Sequence, residues 1–141
     1  MPKYQLKLAT KNIDFAHIVF IQKNDGYQHA YYLVEAGEKF YILYEDEQFV
    51  GMACVDAEIR IQLHFFSVIE KFQQTEAGAK MLELLLEEVK KQKVQHKTMH
   101  CFTEEDSPLL KFLMKQGFEE VGFYKNRYQN GKDAVIVEKK L

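Results

Sequence analysis

Between Phe66 and Ala79 the chain passes from an apolar run, FFSVI, to an amphipathic one, AGAKMLELLLEEV, through the polar stretch Gln73, Gln74, Thr75, Glu76. A turn that opens a helix can hold an anion. The first N–H groups of the helix lack partners and carry partial positive charge, and a phosphate completes them. Gly78 would let a ligand approach the backbone with no Cβ in the way, and the side chains of Gln73, Gln74 and Thr75 can hydrogen-bond phosphate oxygens. Glu76 supports the opposite reading. A carboxylate in a first helical turn is favoured by roughly 0.3–1 kcal/mol, so Thr75 and Glu76 can complete the corner with no ligand. Beside a bound phosphate at ~4 Å the same charge would repel by about 1 kcal/mol in water and about 4 kcal/mol at the effective dielectric of a protein surface.

Groups able to move a proton are few. His64 stands in a strand-like run, where a neutral imidazole can accept a proton from an ammonium. A single strand histidine is also commonly a packed one. Tyr124 and Tyr128 follow the last helical segment, and Glu58 and Glu70 are further carboxylates that surface solvation explains equally well. Cys101 has nothing beside it in sequence to activate a thiolate. His96 and His100 fall on a turn and a strand rather than one helical face, and Cys54 and Cys101 share no zinc-ligand spacing, so no metal is expected.

The elements that must position these groups follow from periodicity. KYQLKLAT alternates, with Tyr4, Leu6 and Leu8 on one face. Thr10 or Asn12 can cap a helix through Phe20, and YQHAYYLVEAG reads as a second. KFYILY and QFVGMACV are strands joined by the hairpin turn EDE, with Gly51 marking a bulge, and EIRIQLHFFSV is the next strand. From Thr75 to Lys91, Gly78, Met81, Leu82, Leu85 and Val89 recur at three- and four-residue steps, with Glu83, Glu87, Lys90 and Lys91 opposite them. HKTMHCF is a strand. Ser107 followed by Pro108 starts a helix whose apolar side is Leu109, Leu110, Leu113 and Met114, and Gly117 ends it. FEEVGFYK and AVIVEKK are the last strands. The order is β-α-α-β-β-β-α-β-α-β-β, an α/β (α+β) mixed sheet with helices on its faces, in one domain spanning 1–141.

With 141 residues the chain can bury a core. A formal charge of −2, with acids and bases interleaved, offers no basic field for nucleic acid. No signal-like or membrane-length apolar run is visible, and two cysteines inside apolar strands suit a reducing compartment, so a cytoplasmic location is expected.

The element order and the C-terminal stretch SPLLKFLMKQGFEEVGFYKNRYQNGKDAVIVEKKL resemble the GNAT superfamily of acyl-CoA-dependent N-acetyltransferases. Lys115, Gly117, Phe118, Glu120, Val121, Gly122, Tyr128, Asp133 and Ala134 fit that family's closing pattern. Against its V-x-P-x-x-Q/R-x-x-G-x-G/A motif, Val68, Gln73 and Gly78 match, whereas Glu70 and Glu76 depart. The resemblance implies an acyl-CoA N-acyltransferase fold with acetyl-CoA as co-substrate. Coenzyme A would be held by Phe66, Val68, Gln73, Gln74, Thr75, Ala77, Gly78 and Ala79. The acceptor would be a small-molecule or peptide amine, with His64 and Tyr128 as candidate catalytic groups. Neither a nucleic acid nor a membrane is implied as partner, and exposed C-terminal strands would suit a homodimer. Many members carry N-x-x-A-x-x-L-Y-x-x-x-G-F, whose tyrosine protonates the leaving thiolate. Here Asp106, Leu109, Phe112 and Leu113 take the four named positions before the glycine, so that general acid is missing. A domain that has lost catalysis and serves as an acyl-CoA sensor or interaction module is the alternative.

Overall fold

The computed structural model describes residues 3–8, 39–57, 60–73, 75–92, 97–128 and 130–141. The two helices expected between the first and second strands, together with Gln74, Glu58 and His96, lie outside the described residues. Seven strands and two helices are described: β1 (Tyr4–Leu8), β2 (Lys39–Glu45), β3 (Gln48–Asp56), β4 (Ile61–Val68), α1 (Ala77–Lys90), β5 (Thr98–Glu104), α2 (Pro108–Lys115), β6 (Glu119–Tyr124) and β7 (Ala134–Lys140). A short 3₁₀ turn, Glu70–Phe72, joins β4 to α1. The strands form one sheet in the order β1-β2-β3-β4-β5-β7-β6, antiparallel except between β4 and β5.

Strand alternation divides the core. Tyr41 and Leu43 on β2 pack with Ala53, Leu63, Met99 and Val137 against Met81, Leu82 and Leu85 of α1 and Leu113 of α2. Phe40 and Ile42 turn to the other face with Met52, Cys54 and Phe65. The period of two sends neighbouring residues to opposite sides, and the inner strands are apolar on both. The stripe expected on α1 is the one observed, with Ala77, Gly78, Met81, Leu82, Leu85 and Val89 buried. The EDE turn carries positive φ at Asp46 (48°) and Glu47 (69°), the left-handed pair a two-residue hairpin uses. In α2, Ser107 Oγ accepts from Leu110 N–H at 3.1 Å and Pro108 takes the first position. Gly117, at φ 93°, ends the helix, and Phe118 N–H donates to Leu113 C=O at 3.1 Å. Met114, expected on the apolar side of this helix, is instead exposed.

Two irregularities shape the middle of the sheet. Leu43 pairs with Gly51 and Tyr44 with Phe49, which makes Val50 the extra residue, one place from the bulge expected at Gly51. On the next ladder Cys54 pairs with Phe65 and Val55 with Leu63, so His64 is a bulge residue on β4. A bulge bends and twists its strand. Pairing between β4 and β5 covers only Ile61–Leu63 with Met99–Cys101. Beyond Leu63 the ladder between the two parallel strands ends, and residues 65–68 keep their ladder with β3.

Candidate functional site

The separation of β4 from β5 opens a cleft of about 730 Å³, within the range of roughly 300–1,000 Å³ typical of small-molecule sites. One wall is the end of β4 (Phe66, Ser67, Val68) and the corner leading to α1 (Gln73, Thr75, Gly78, Ala79). The other is α2, through Pro108, Leu109, Phe112 and Gln116. Phe66 and Phe112 stack across it with ring centroids 5.3 Å apart and planes at 24°. The cleft is apolar along the α2 side, while β4 contributes the backbone of Phe66 and Val68, beyond the end of its ladder with β5.

The corner is organised by its own side chains. Thr75 Oγ1 donates to Phe72 C=O at 2.7 Å and accepts from Ala77 N–H at 3.2 Å. The first intrahelical bond runs from Lys80 N–H to Glu76 C=O at 3.0 Å. Between these, the N–H groups of Gly78 and Ala79 find no acceptor among the described residues, and both residues line the cleft. Among the described residues they stand as donors of the kind a helix start presents to an anion. Glu76 does not cover them. Its carboxylate accepts from the Tyr4 hydroxyl at 3.3 Å, on the first strand. Desolvation, then the Glu45 and Glu76 carboxylates, push the Tyr4 pKa up, so the phenol stays a neutral donor.

Gly78 needs its missing side chain for the cleft rather than for packing. A Cβ there would lie 3.5 Å from Phe112 Cε1 and 3.6 Å from Val68 Cγ2, at ordinary contact with the two walls. Any larger group would fill the space between them.

Of the residues expected to hold coenzyme A, Phe66, Val68, Gln73, Thr75, Gly78 and Ala79 are brought to this one cleft. Ala77 is fully buried in the core behind the cleft, and its N–H is taken by Thr75. Gln73 lines the cleft, and its amide nitrogen donates to Val68 C=O at 2.8 Å, which closes the turn. The α2 wall was missed. Pro108, Phe112 and Gln116 stand one helical turn apart and so share a face, but that spacing does not by itself distinguish a cleft wall from a core stripe.

Neither candidate catalytic residue lines the cleft. His64 is half-buried at the β4 bulge, where the strands part. Tyr128 is half-buried in the β6–β7 loop, with its N–H donating to Lys132 C=O at 3.2 Å. Burial pushes its pKa up; Arg127 opposes the shift, and Cys101 and Glu104 on β5 add to it. Leu113, at the position where the family's tyrosine would stand, is fully buried in the core and brings no polar atom. Cys101 is equally unsuited to catalysis, since burial raises its thiol to about 12 and leaves it protonated. No group of three or more His, Cys, Asp or Glu side chains able to hold a metal occurs among the described residues, and no described helix is long and apolar enough to cross a membrane.

The acetyltransferase (GNAT) domain family matches residues 15–141. The chain belongs to the GNAT family. Its sheet is that of solved members. An Elizabethkingia anophelis GNAT acetyltransferase with acetyl-CoA bound superposes with a TM-score of 0.79 at 18% identity, over 98% of each chain. A Bacillus subtilis acetyltransferase in complex with CoA gives 0.79 at 16% identity over 99% of each chain. The Escherichia coli ribosomal-protein-S18-alanine N-acetyltransferase gives 0.81 at 17% identity, over 98% of this chain and 94% of its own. No curated protein sequence matches the chain. At these identities the structures establish the GNAT fold.

Proposed function

We propose that this GNAT domain transfers an acetyl group from acetyl-CoA to a primary amine, and that coenzyme A lies in the cleft between β4 and α2. The observation that carries this reading is the corner before α1. The Gly78 and Ala79 amides have no acceptor among the described residues, face a cleft of ligand size, and are left uncovered by Glu76. The pyrophosphate would complete those amides, and the pantetheine arm would pair with β4 backbone near Phe66 and Val68, where the ladder to β5 has ended. Solved relatives with acetyl-CoA or CoA bound support the choice of ligand.

Bound in this way, the thioester would point to the place where β4 and β5 part, beside the His64 bulge. The amine, once deprotonated, attacks the thioester carbonyl. A new C–N bond forms, the C–S bond breaks, and coenzyme A leaves as a thiolate that takes up a proton. A β4 backbone N–H near Val68 would stabilise the tetrahedral oxyanion, and holding the two reactants together supplies most of the rate. We assign His64 to the amine's proton and Tyr128, kept protonated by burial, to the thiolate. The acceptor is a small-molecule or peptide amine; an alanine N-acetyltransferase among the relatives supports the peptide class.

The reading is tested in two steps. Acetyl-CoA at about 100 times its dissociation constant should stabilise the fold by about 2.7 kcal/mol, and free thiol should then appear only when an amine is added. Absence of any thermal shift removes the cofactor assignment. Stabilisation without thiol release across peptide and small amines leaves an acyl-CoA sensor. In Tyr128→Phe, kcat should fall with the KM for acetyl-CoA unchanged.

A further inference from the structure

Glu76 occupies the position from which a helix is capped by its own side chain. It is the N-cap of α1, and its carboxylate makes no cap bond. An oxygen on an N-cap side chain accepts from the second or third N–H of the helix. Counted from Glu76 those belong to Gly78 and Ala79, the two amides assigned above to the pyrophosphate. The chain therefore carries an internal competitor for its ligand. Nothing described on α1 restrains it. Lys80, one turn on, pairs with Glu83 at 3.4 Å, and Glu76 joins no ion pair among the described residues. Its partner is the Tyr4 hydroxyl, at 3.3 Å.

That hydroxyl is held in place from outside the cleft. Tyr4 pairs with Glu45 across the β1–β2 ladder, and its side chain packs against the core. Just before it, Lys3 N–H donates to Asp46 Oδ1 and Asp46 N–H donates to Lys3 C=O, both at 2.8 Å. The phenol stays protonated beside the Glu45 and Glu76 carboxylates, so it can only donate to them. We propose that Tyr4 is a positioning residue for coenzyme A: by donating to Glu76 it keeps that carboxylate off the Gly78 and Ala79 amides. The first strand thereby sets the affinity of a cleft that Tyr4 does not line. The proposal rests on the placement of the pyrophosphate at this corner. With the donor removed, Glu76 folds back over the amides as a side-chain cap, and the ligand must displace it.

The test is calorimetric titration of the full chain with coenzyme A in four forms: wild type, Tyr4→Phe, Glu76→Gln and the double variant, with circular dichroism confirming each fold. Phenylalanine keeps the ring and removes the hydroxyl alone. Tyr4→Phe should raise the dissociation constant about fivefold, the repulsion of unit charges at ~4 Å in water expressed as affinity. With Glu76→Gln already present, the same substitution should change it by less than about twofold. In the unliganded ¹⁵N-labelled protein, Tyr4→Phe should move the Gly78 and Ala79 amide resonances, and should leave them in place on the Glu76→Gln background. Unchanged affinity in Tyr4→Phe would overturn the proposal. So would an equal loss with and without Glu76→Gln, because the hydroxyl would then act through the frame rather than through the carboxylate. A wild-type chain that binds no coenzyme A would overturn the cofactor placement itself, and the positioning role with it.

Discussion

Gly78→Asp should weaken acetyl-CoA binding about 10²-fold while the protein still folds. The helix start would then carry a carboxylate where the account places a pyrophosphate. At ~4 Å the repulsion lies between about 1 kcal/mol in water and about 4 kcal/mol at a surface-like dielectric, and the middle of that interval corresponds to roughly two decades in affinity. The side chain has nowhere else to go. A Cβ at this position already touches Val68 Cγ2 at 3.6 Å and Phe112 Cε1 at 3.5 Å, the two walls of the cleft. Gly78→Ala is the control. Its methyl fits at contact distance, and alanine exceeds glycine in helix propensity by about 1 kcal/mol, so its melting temperature should hold or rise while affinity changes much less. Calorimetric titration of both variants separates charge from bulk. Equal affinities for the aspartate variant and the wild type would remove the anion from this corner.

Gly51→Val should be the most damaging single change to the frame. Gly51 pairs with Val68 across the β3–β4 ladder, and a Cβ built on it runs into the Ser67 carbonyl oxygen, a backbone atom that no rotamer change can move aside. Overpacking of this sort costs about 3 kcal/mol, or roughly 10 °C in melting temperature for a domain of this size. The displaced residues, Ser67 and Val68, are cleft wall. The variant should therefore lose affinity for acetyl-CoA as well as stability, even at temperatures where it stays folded. A melting temperature equal to that of the wild type would show that β3 and β4 can separate at no cost, contrary to the tight ladder described.

What the sequence revealed and what it hid divide along physical lines. The stripe on α1, the EDE hairpin and the Ser107–Pro108 start are local signals. Each is decided by residues within a few positions of one another, and each appears in the structure. The direction of the Glu76 side chain is not local. It depends on Tyr4, 72 residues away, and no pattern around the turn could distinguish a carboxylate folded over the helix start from one drawn to the first strand. The α2 wall was hidden for a different reason. In a helix of eight residues one apolar stripe serves both core and cleft. Leu113 faces the core, Phe112 and Leu109 face the cleft, and Met114 faces solvent, and periodicity alone does not rank the three. Gln73 was read as a phosphate donor because its type allows it. Its short reach back to Val68 C=O is a property of the turn's geometry.

The account depends on where the anion sits, and amide chemical shifts report that directly. In a ¹⁵N-labelled sample titrated with coenzyme A, and separately with pantetheine, which lacks the pyrophosphate, the Gly78 and Ala79 amides should move with coenzyme A and stay in place with pantetheine, while Phe66 and Val68 respond to both. Saturable coenzyme A binding that leaves the Gly78 and Ala79 amides unmoved would contradict it.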